Sequence, residues 1–549
     1  MSKDVEAQVA TSYYDDKNTA SVDVEEAKDV AGETGEPGLH RGLKDRHIQM
    51  IALGGVIGTA LFLGTAPALA DGGPLGMFLG FAVMGTVVYS MMACLGEMIV
   101  HTPIAGGHIA LAQRYVGDSM SFAMGWFYWY LWTILYPAEL SACAVLIGFW
   151  LPDVNVAVWI TVCLCVCTFL NSWSVKVYGE SEFWFALTKI ILIIGLIFAS
   201  VIVSAGGNPK HEVIGFKFWT GENGPFRQYL GIQGSLGQFL GFWATLTRAA
   251  FGYCGLENVS IAAGEAEDPK NNMAKAIKRV WIRIVIFFVC TTFVITLIMP
   301  SSDPHLRLGT GTAASSPFVL AFSRVGIKAL PSVINAGVLC SATSAASAHM
   351  YLSTRALWAL AHNGRAPAIF KRTNRWGTPI FCVMVTFSFG LLGYTAAGDK
   401  TAWQIFDYFS SMIAVVGLIS WCGIAFVYIR FHRACKVQGF DRARLHKYKA
   451  PDWMQPILGY YTLIFCAIVV FFNSWKVFLK GKWDTPVFIV GYLPIPLFFI
   501  AYFGHKAIKK DKMVPLELID LETDSNEDDF GPPKPPPATR WGRILHAII

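Results

Sequence analysis

Gly54-Gly55-Val56-Ile57-Gly58-Thr59 lies in the middle of an apolar run from about residue 48 to 70, and Phe251-Gly252-Tyr253-Cys254-Gly255-Leu256-Glu257 lies in another from about 236 to 262. Glycine gives up the most backbone entropy on entering a helix, so both stretches unwind easily. Backbone freed at membrane depth survives only around a protein-lined or watery cavity. Two such interruptions, at the first helices of two five-helix halves, form the pattern of a secondary transporter built from inverted repeats, with its site near the bilayer midplane. Unpaired N–H groups at the start of a half-helix attract a carboxylate, and unpaired carbonyls accept from an ammonium. Together they describe the α-carbon of an amino acid. The competing explanation is that these glycines serve helix packing, as Gly54 with Gly58 in a small-xxx-small contact.

The rest of the chain fits a bilayer. Its 549 residues are 54% hydrophobic and 15% charged, with a mean hydropathy of +0.46, whereas soluble domains carry about 25% charged residues. A hydrocarbon core of about 30 Å takes about 20 apolar residues of helix. Such runs are predicted near 48–70, 75–100, 119–149, 154–172, 181–204, 236–262, 280–300, 330–354, 378–397, 402–428, 456–475 and 485–503, giving an all-α polytopic membrane protein of twelve transmembrane helices. With both termini cytoplasmic, the inner loops and flanks hold 26 Lys or Arg and the outer loops 10, as the positive-inside rule requires. The net charge of +6 is thus orientation signal, including the loop around Arg442 and Arg444, and no soluble basic face for nucleic acid is visible.

Residues 1–38 are polar and acidic and read as a disordered cytoplasmic tail, residues 39–504 as one helical domain, and residues 505–549 as a cytoplasmic C-terminal tail, free from about Lys512. Cys163, Cys165 and Cys167 fan around a helix axis and gather no metal. The chain shows no phosphate-binding loop, H-E-x-x-H or G-x-S-x-G, which removes the usual signatures of ATP drive and hydrolysis. The reading is a transporter, not an enzyme, with no cofactor beyond an ion gradient.

Several stretches carry a family resemblance. GLKDRHIQMIALGGVIGTALFLG from Gly42, IAGGHIALAQRYVG from Ile104, GWFYWYLW from Gly125, YGESEFWFALTKI from Tyr178, AAGEAEDPKNNMAKAIKRVWIRI from Ala262 and STRALWALAHNGRAP from Ser353 resemble the fungal amino acid permeases over roughly residues 39–510. YCGLENVSIAAGE and RACKVQGFDRARL look most like the dicarboxylic branch. The resemblance implies a LeuT-type fold of five plus five inverted helices with two more appended, importing amino acids with protons at the plasma membrane. It assigns the substrate carboxylate to Gly58, Thr59 and Ala60, and the ammonium to carbonyls at Val56, Phe251, Gly252 and Cys254. Phe251 becomes the aromatic that closes over the substrate, and Ala60 stands where many relatives have a second glycine. By analogy, Lys3, Lys17 and Lys28 suit ubiquitin ligase adaptors acting at the tails.

Ionisable residues inside spans are functional candidates because each is costly there unless paired or hydrated. Lys189 is mid-span, where related transporters carry a lysine in place of sodium. It is read either as the proton-coupling group or as a permanently paired lysine. Glu257 is read as a cap on freed N–H groups or as a proton carrier. Glu139, after Pro137, is expected to line the pathway. Glu97 snorkels to water or holds the inner gate, and Asp407 sits near the outer interface. Arg248 either grips a substrate side-chain carboxylate, favouring glutamate or aspartate, or snorkels to outer water. Acidic amino acids are the leading substrate expectation; a neutral or broad-range permease and an amino acid receptor are the alternatives.

Overall fold

The computed structural model describes residues 58–523, apart from 105, 174, 222–223, 263–268, 307–315, 328, 375–376, 399–401, 443–444 and 446–447. Every regular element of these residues is helical. The first break opens the described chain. Gly58 is extended (φ −115°, ψ −159°) and helix α1, Thr59–Phe62, follows it. Helix α2, Thr65–His101, is divided at Gly73, whose φ of +74° is open to glycine and whose neighbour Pro74 restarts the helix. The turn is closed by Leu75 N–H donating to Pro225 and Arg227 N–H donating to Gly72.

Helices α3, Gly107–Tyr115; α4, Asp118–Ile147; α5, Val156–Ser172; and α6, Val175–Ser204, follow. Next is α7, Gly234–Tyr253. It ends at the second glycine cluster, and a 3-10 turn, Leu256–Asn258, leads into α8, Val259–Ala262. Then come α9, Pro269–Lys278; α10, Val280–Arg283; a π-helical stretch, Ile284–Cys290; and α11, Thr291–Ile298. The remainder is α12, Pro317–Arg324; α13, Leu330–His362; α14, Ile380–Gly390; α15, Ala402–Val437; α16, Ile457–Phe471; α17, Thr485–Tyr492; and α18, Pro494–Lys509.

Eight helical spans among the described residues are long and apolar enough to cross a membrane. The gradient of burial across them places the core. α4 and most of α2 and α15 are enclosed, with Trp132, Tyr136, Phe81 and Trp421 inaccessible, while α6 and α18 expose Trp184, Phe198, Ile500 and Phe503, the apolar exterior a lipid solvent requires. Around that centre α13 packs on α4, α7 on α2, and α15 on α4 and α16. Small residues set the spacing. A Cβ on Gly80 would lie 2.0 Å from Thr245 Oγ1, and one on Gly417 would lie 2.4 Å from Cys254 Sγ. The α2–α7 and α7–α15 contacts are therefore close to backbone distance.

Two expectations change here. The C-terminal segment is not free from Lys512: it lies along the bundle as far as Thr523. Val514 N–H donates to Val116 O, Gln438 donates to Leu516 and Ile519 carbonyls, and Ile519 and Leu521 are buried. The turn at Leu516–Leu518 packs on α15. Nor does Glu97 snorkel. It is wholly buried and accepts from Tyr428 Oη (2.6 Å), Arg442 Nη2 (2.7 Å) and Ala450 N–H (2.8 Å). Arg442, read as orientation signal alone, is thus also a structural counter-charge.

Candidate functional site

Helix α1 packs against α7 and α13, so the break before it and the break after Tyr253 belong to one region. At the first, Thr59 is inaccessible and its hydroxyl donates to Glu139 Oε1 at 3.0 Å. Glu139 reaches there from α4, and Gly58 leaves it the space: a Cβ on Gly58 would be 3.0 Å from the same oxygen and 3.6 Å from Ala345 of α13. Glu139 is 2% exposed, and its second oxygen has no hydrogen-bond donor among the described residues. Val56, expected to lend a carbonyl, lies outside the described residues. Ala60 follows Thr59 in the first turn of α1, 8% exposed.

At the second break, Gly255 takes φ +102° and sits on Trp132, whose Cη2 would be 3.1 Å from a Cβ there. Glu257 folds back over this turn. Its Oε2 accepts from Gly255 N–H at 3.1 Å and from Trp421 Nε1 at 3.2 Å. That is the cap geometry of the two readings. Phe251 and Gly252 lie in the last turn of α7, and Cys254 terminates it with ψ 133°. Phe251 packs edge-on to Phe406 of α15 with 6.0 Å between ring centres.

Directly beyond Phe251 a cleft is lined by Asp71, Thr247, Arg248, Asp407 and Lys476. Arg248 faces this cleft, where its two Nη atoms bind the two carboxylate oxygens of Asp407. The cation expected to hold a substrate side chain already has a carboxylate, and Asp407, placed at the outer interface from sequence, is that partner. Phe251–Phe406 and Arg248–Asp407 are successive ties between α7 and α15.

The fifth-span lysine is also paired. Lys189 Nζ is 3.7 Å from Glu182 Oε1, each side chain 1% exposed, and Ser344 of α13 donates to Glu182 Oε2 at 2.8 Å. Glu182 lies in YGESEFWFALTKI and is not among the residues singled out from the sequence. Its position seven residues before Lys189, two turns along the same helical face, was the available signal.

These features define a multi-pass helical membrane protein in which a helix interrupted between Tyr253 and Leu256 and an extended Gly58 before α1 lie among buried carboxylates. A sequence profile described as Amino acid permease matches residues 47–516, and the chain belongs to that family of membrane transporters. It is 39% identical to the dicarboxylic amino acid permease of Saccharomyces cerevisiae, over 88% of this chain and 80% of the relative. It is 38% identical to the proline-specific permease of the same yeast, over 91% and 81% of the two chains. With the lysine-specific permease LysP of Lactococcus lactis it shares 36% identity over 89% and 94%.

Proposed function

We propose that this chain is a plasma-membrane importer of amino acids driven by proton symport, with twelve spans arranged as a LeuT-type five-plus-five inverted repeat and two appended helices, and both termini cytoplasmic. The observation that carries this reading is the packing of α1 against α7, which brings the extended Gly58 and the break after Tyr253 into one region, with a buried, half-satisfied carboxylate, Glu139, on the Gly58–Thr59 side of it. Backbone N–H groups of Thr59 and Ala60, beside Gly58, take the substrate carboxylate. Carbonyls of Val56, Phe251, Gly252 and Cys254 take the ammonium. Phe251 closes the site from the cleft.

Glu139 supplies the coupling. An incoming carboxylate beside Thr59 meets a second carboxylate on the Thr59 hydroxyl, and two like charges this close in a dry site are strongly repulsive. A proton on Glu139 removes the repulsion, so substrate and proton each favour the other's binding. The proton gradient is the energy source, and no cofactor enters. Glu257 uses Oε2 for its cap and holds Oε1 without a hydrogen bond among the described residues; we place Glu139, the carboxyl on the Thr59 hydroxyl, and Lys189 beside the path.

Acidic amino acids are the leading substrate, on the likeness to the dicarboxylic amino acid permease. A broad-range or neutral permease is the second reading, favoured by the pairing of Arg248 with Asp407. The tails are the place for ubiquitin ligase adaptors. The deciding measurement is uptake of labelled glutamate, leucine and lysine at acid and neutral pH in permease-deficient cells. Acid-stimulated glutamate uptake is expected; saturable leucine uptake without glutamate uptake would replace the acidic reading by the neutral one. A surface-expressed protein that takes up none of the three would point to a receptor.

A further inference from the structure

Three ionisable side chains are buried next to one another: Glu139 on α4, and Glu182 and Lys189 on α6, each at most 2% exposed. Ser344 and Ala345, consecutive on α13, join them to the site. Ser344 bonds Glu182, and Ala345 abuts Gly58. Lys189 is within electrostatic reach of both carboxyls, and of His349 on α13; Cys143 on α4 neighbours Glu139. Fully ionised, the two carboxyls and the ammonium sum to one negative charge. An uncompensated charge in such a place is strongly unfavourable, whereas a close ion pair is tolerated. Neutrality is reached with one further proton, and the pairing decides where it goes. Each carboxyl has one hydroxyl donor, Ser344 on Glu182 and Thr59 on Glu139, and a second oxygen with no hydrogen bond among the described residues; that of Glu182 faces the Lys189 ammonium at 3.7 Å, whereas Glu139 has no ion pair among the described residues.

Resting on the symport reading, we infer that Glu182 is a positioning residue that occupies the charge of Lys189, so that the transported proton binds Glu139 and Lys189 stays charged throughout. The proton passes from outer water to the Glu139 carboxylate and leaves to inner water. Lys189 neither gains nor loses one. The opposite assignment makes Lys189 itself the titrating group, and the two differ in what happens when charges are removed in pairs.

In Glu182→Gln the ammonium loses this carboxylate and acts more strongly on Glu139, favouring that carboxylate's ionised form. More acid is then needed to protonate it. The pH of half-maximal uptake is expected to fall by at least about one unit, a tenfold weaker proton affinity. In Glu182→Gln with Lys189→Met the pair is replaced by neutral side chains of similar size, a change buried ion pairs commonly tolerate. The half-maximal pH is expected to return to within about half a unit of wild type.

The experiment measures initial uptake of the labelled amino acid best carried in the panel above, from pH 4.5 to 7.5, together with alkalinisation of the medium. It uses wild type, both variants, Glu139→Gln and His349→Gln, each scored for surface abundance. The inference stands if the double variant recovers its pH profile and still takes up protons, Glu139→Gln is flat with pH, and His349→Gln is unshifted. A double variant that is flat with pH while wild type takes up protons overturns it and makes Lys189 the carrier. Wild type that moves the amino acid without protons overturns the symport reading itself. Should Glu182→Gln fail to reach the surface, Ser344→Ala replaces it. Loss of a donor to Glu182 loosens its hold on Lys189, so a downward shift supports the inference and an unchanged midpoint overturns it.

Discussion

A single methyl group tests the first break. Gly58 is extended, a conformation any residue adopts, so Gly58→Ala carries little backbone penalty. The added carbon would meet Glu139 Oε1 at 3.0 Å, pressing on the carboxylate that Thr59 holds. Uptake is expected to fall at least about tenfold, about 1.4 kcal/mol in transition-state terms, with surface abundance unchanged; wild-type uptake by surface-expressed Gly58→Ala would remove Glu139 from the site. At Arg248 and Asp407 the matched change is reversal. Either residue alone changed to the opposite sign leaves two like charges facing each other in the cleft. The exchange Arg248→Asp with Asp407→Arg is expected to restore at least about a tenth of wild-type uptake where each single reversal gives none. No recovery would mean that Arg248 serves substrate directly and not the tie to α15.

Between elements, packing is tested at the α2–α7 contact. Gly80→Ala places a carbon where Thr245 Oγ1 stands, and overpacking of this kind costs about 1–3 kcal/mol. The detergent-solubilised protein is expected to melt at a lower temperature, and adding Thr245→Ala, which removes the hydroxyl and leaves the Thr245 Cβ 2.9 Å away, is expected to restore part of the loss. Two losses that simply add would show that the helices do not touch there. The helical elements themselves were readable from the sequence, because an apolar run bounded by polar residues has few other uses and Gly54–Thr59 and Phe251–Glu257 interrupt theirs. The second interruption is seen between Tyr253 and Leu256; of the first, only Gly58 onward is described. Partners were harder to read. Arg248 and Asp407 are 159 residues apart and Glu97 and Arg442 are 345 apart, separations across which no local periodicity carries information. Glu182 and Lys189 are the instructive miss, since helical spacing alone puts them on one face, yet the lysine drew attention as an isolated charge. The C-terminal segment hid for a compositional reason. Val514, Leu516, Ile519 and Leu521 are apolar, but the acidic residues among and after them dominate any average.

The whole bundle is fastened at its C-terminal end by residues 511–523. Arg114 of α3 donates to Asp520 Oδ2 at 2.5 Å and to Thr523 O at 2.8 Å, His101 of α2 bonds Leu521 O, and Asp511 accepts from Ser119 N–H at the start of α4. Asp520 is partly desolvated, which alone would favour its neutral form; the Thr523 N–H and Arg114 outweigh that and hold its carboxyl below the usual carboxylate range. A depressed value in the folded state means stability that is complete above the unfolded value of about 3.9 and lost as pH falls through the folded one. The segment is therefore expected to resist protease equally from pH 7 down to about pH 5 and to become cleavable only at pH below about 4. Release near neutrality would show that Asp520 is not what holds it. Arg114→Ala is expected to make the segment cleavable at every pH tested.

The buried Glu97 cluster has a mechanical meaning. One carboxylate grips Tyr428 of α15 and Arg442 and Ala450 of the loop beyond it, while its own backbone belongs to α2. Pulling these apart would strand a charge without water or partner, at about 3–5 kcal/mol. The ends of α2 and α15 on that side consequently behave as one welded wall, and a doorway on that face opens at lower cost along another seam of the bundle.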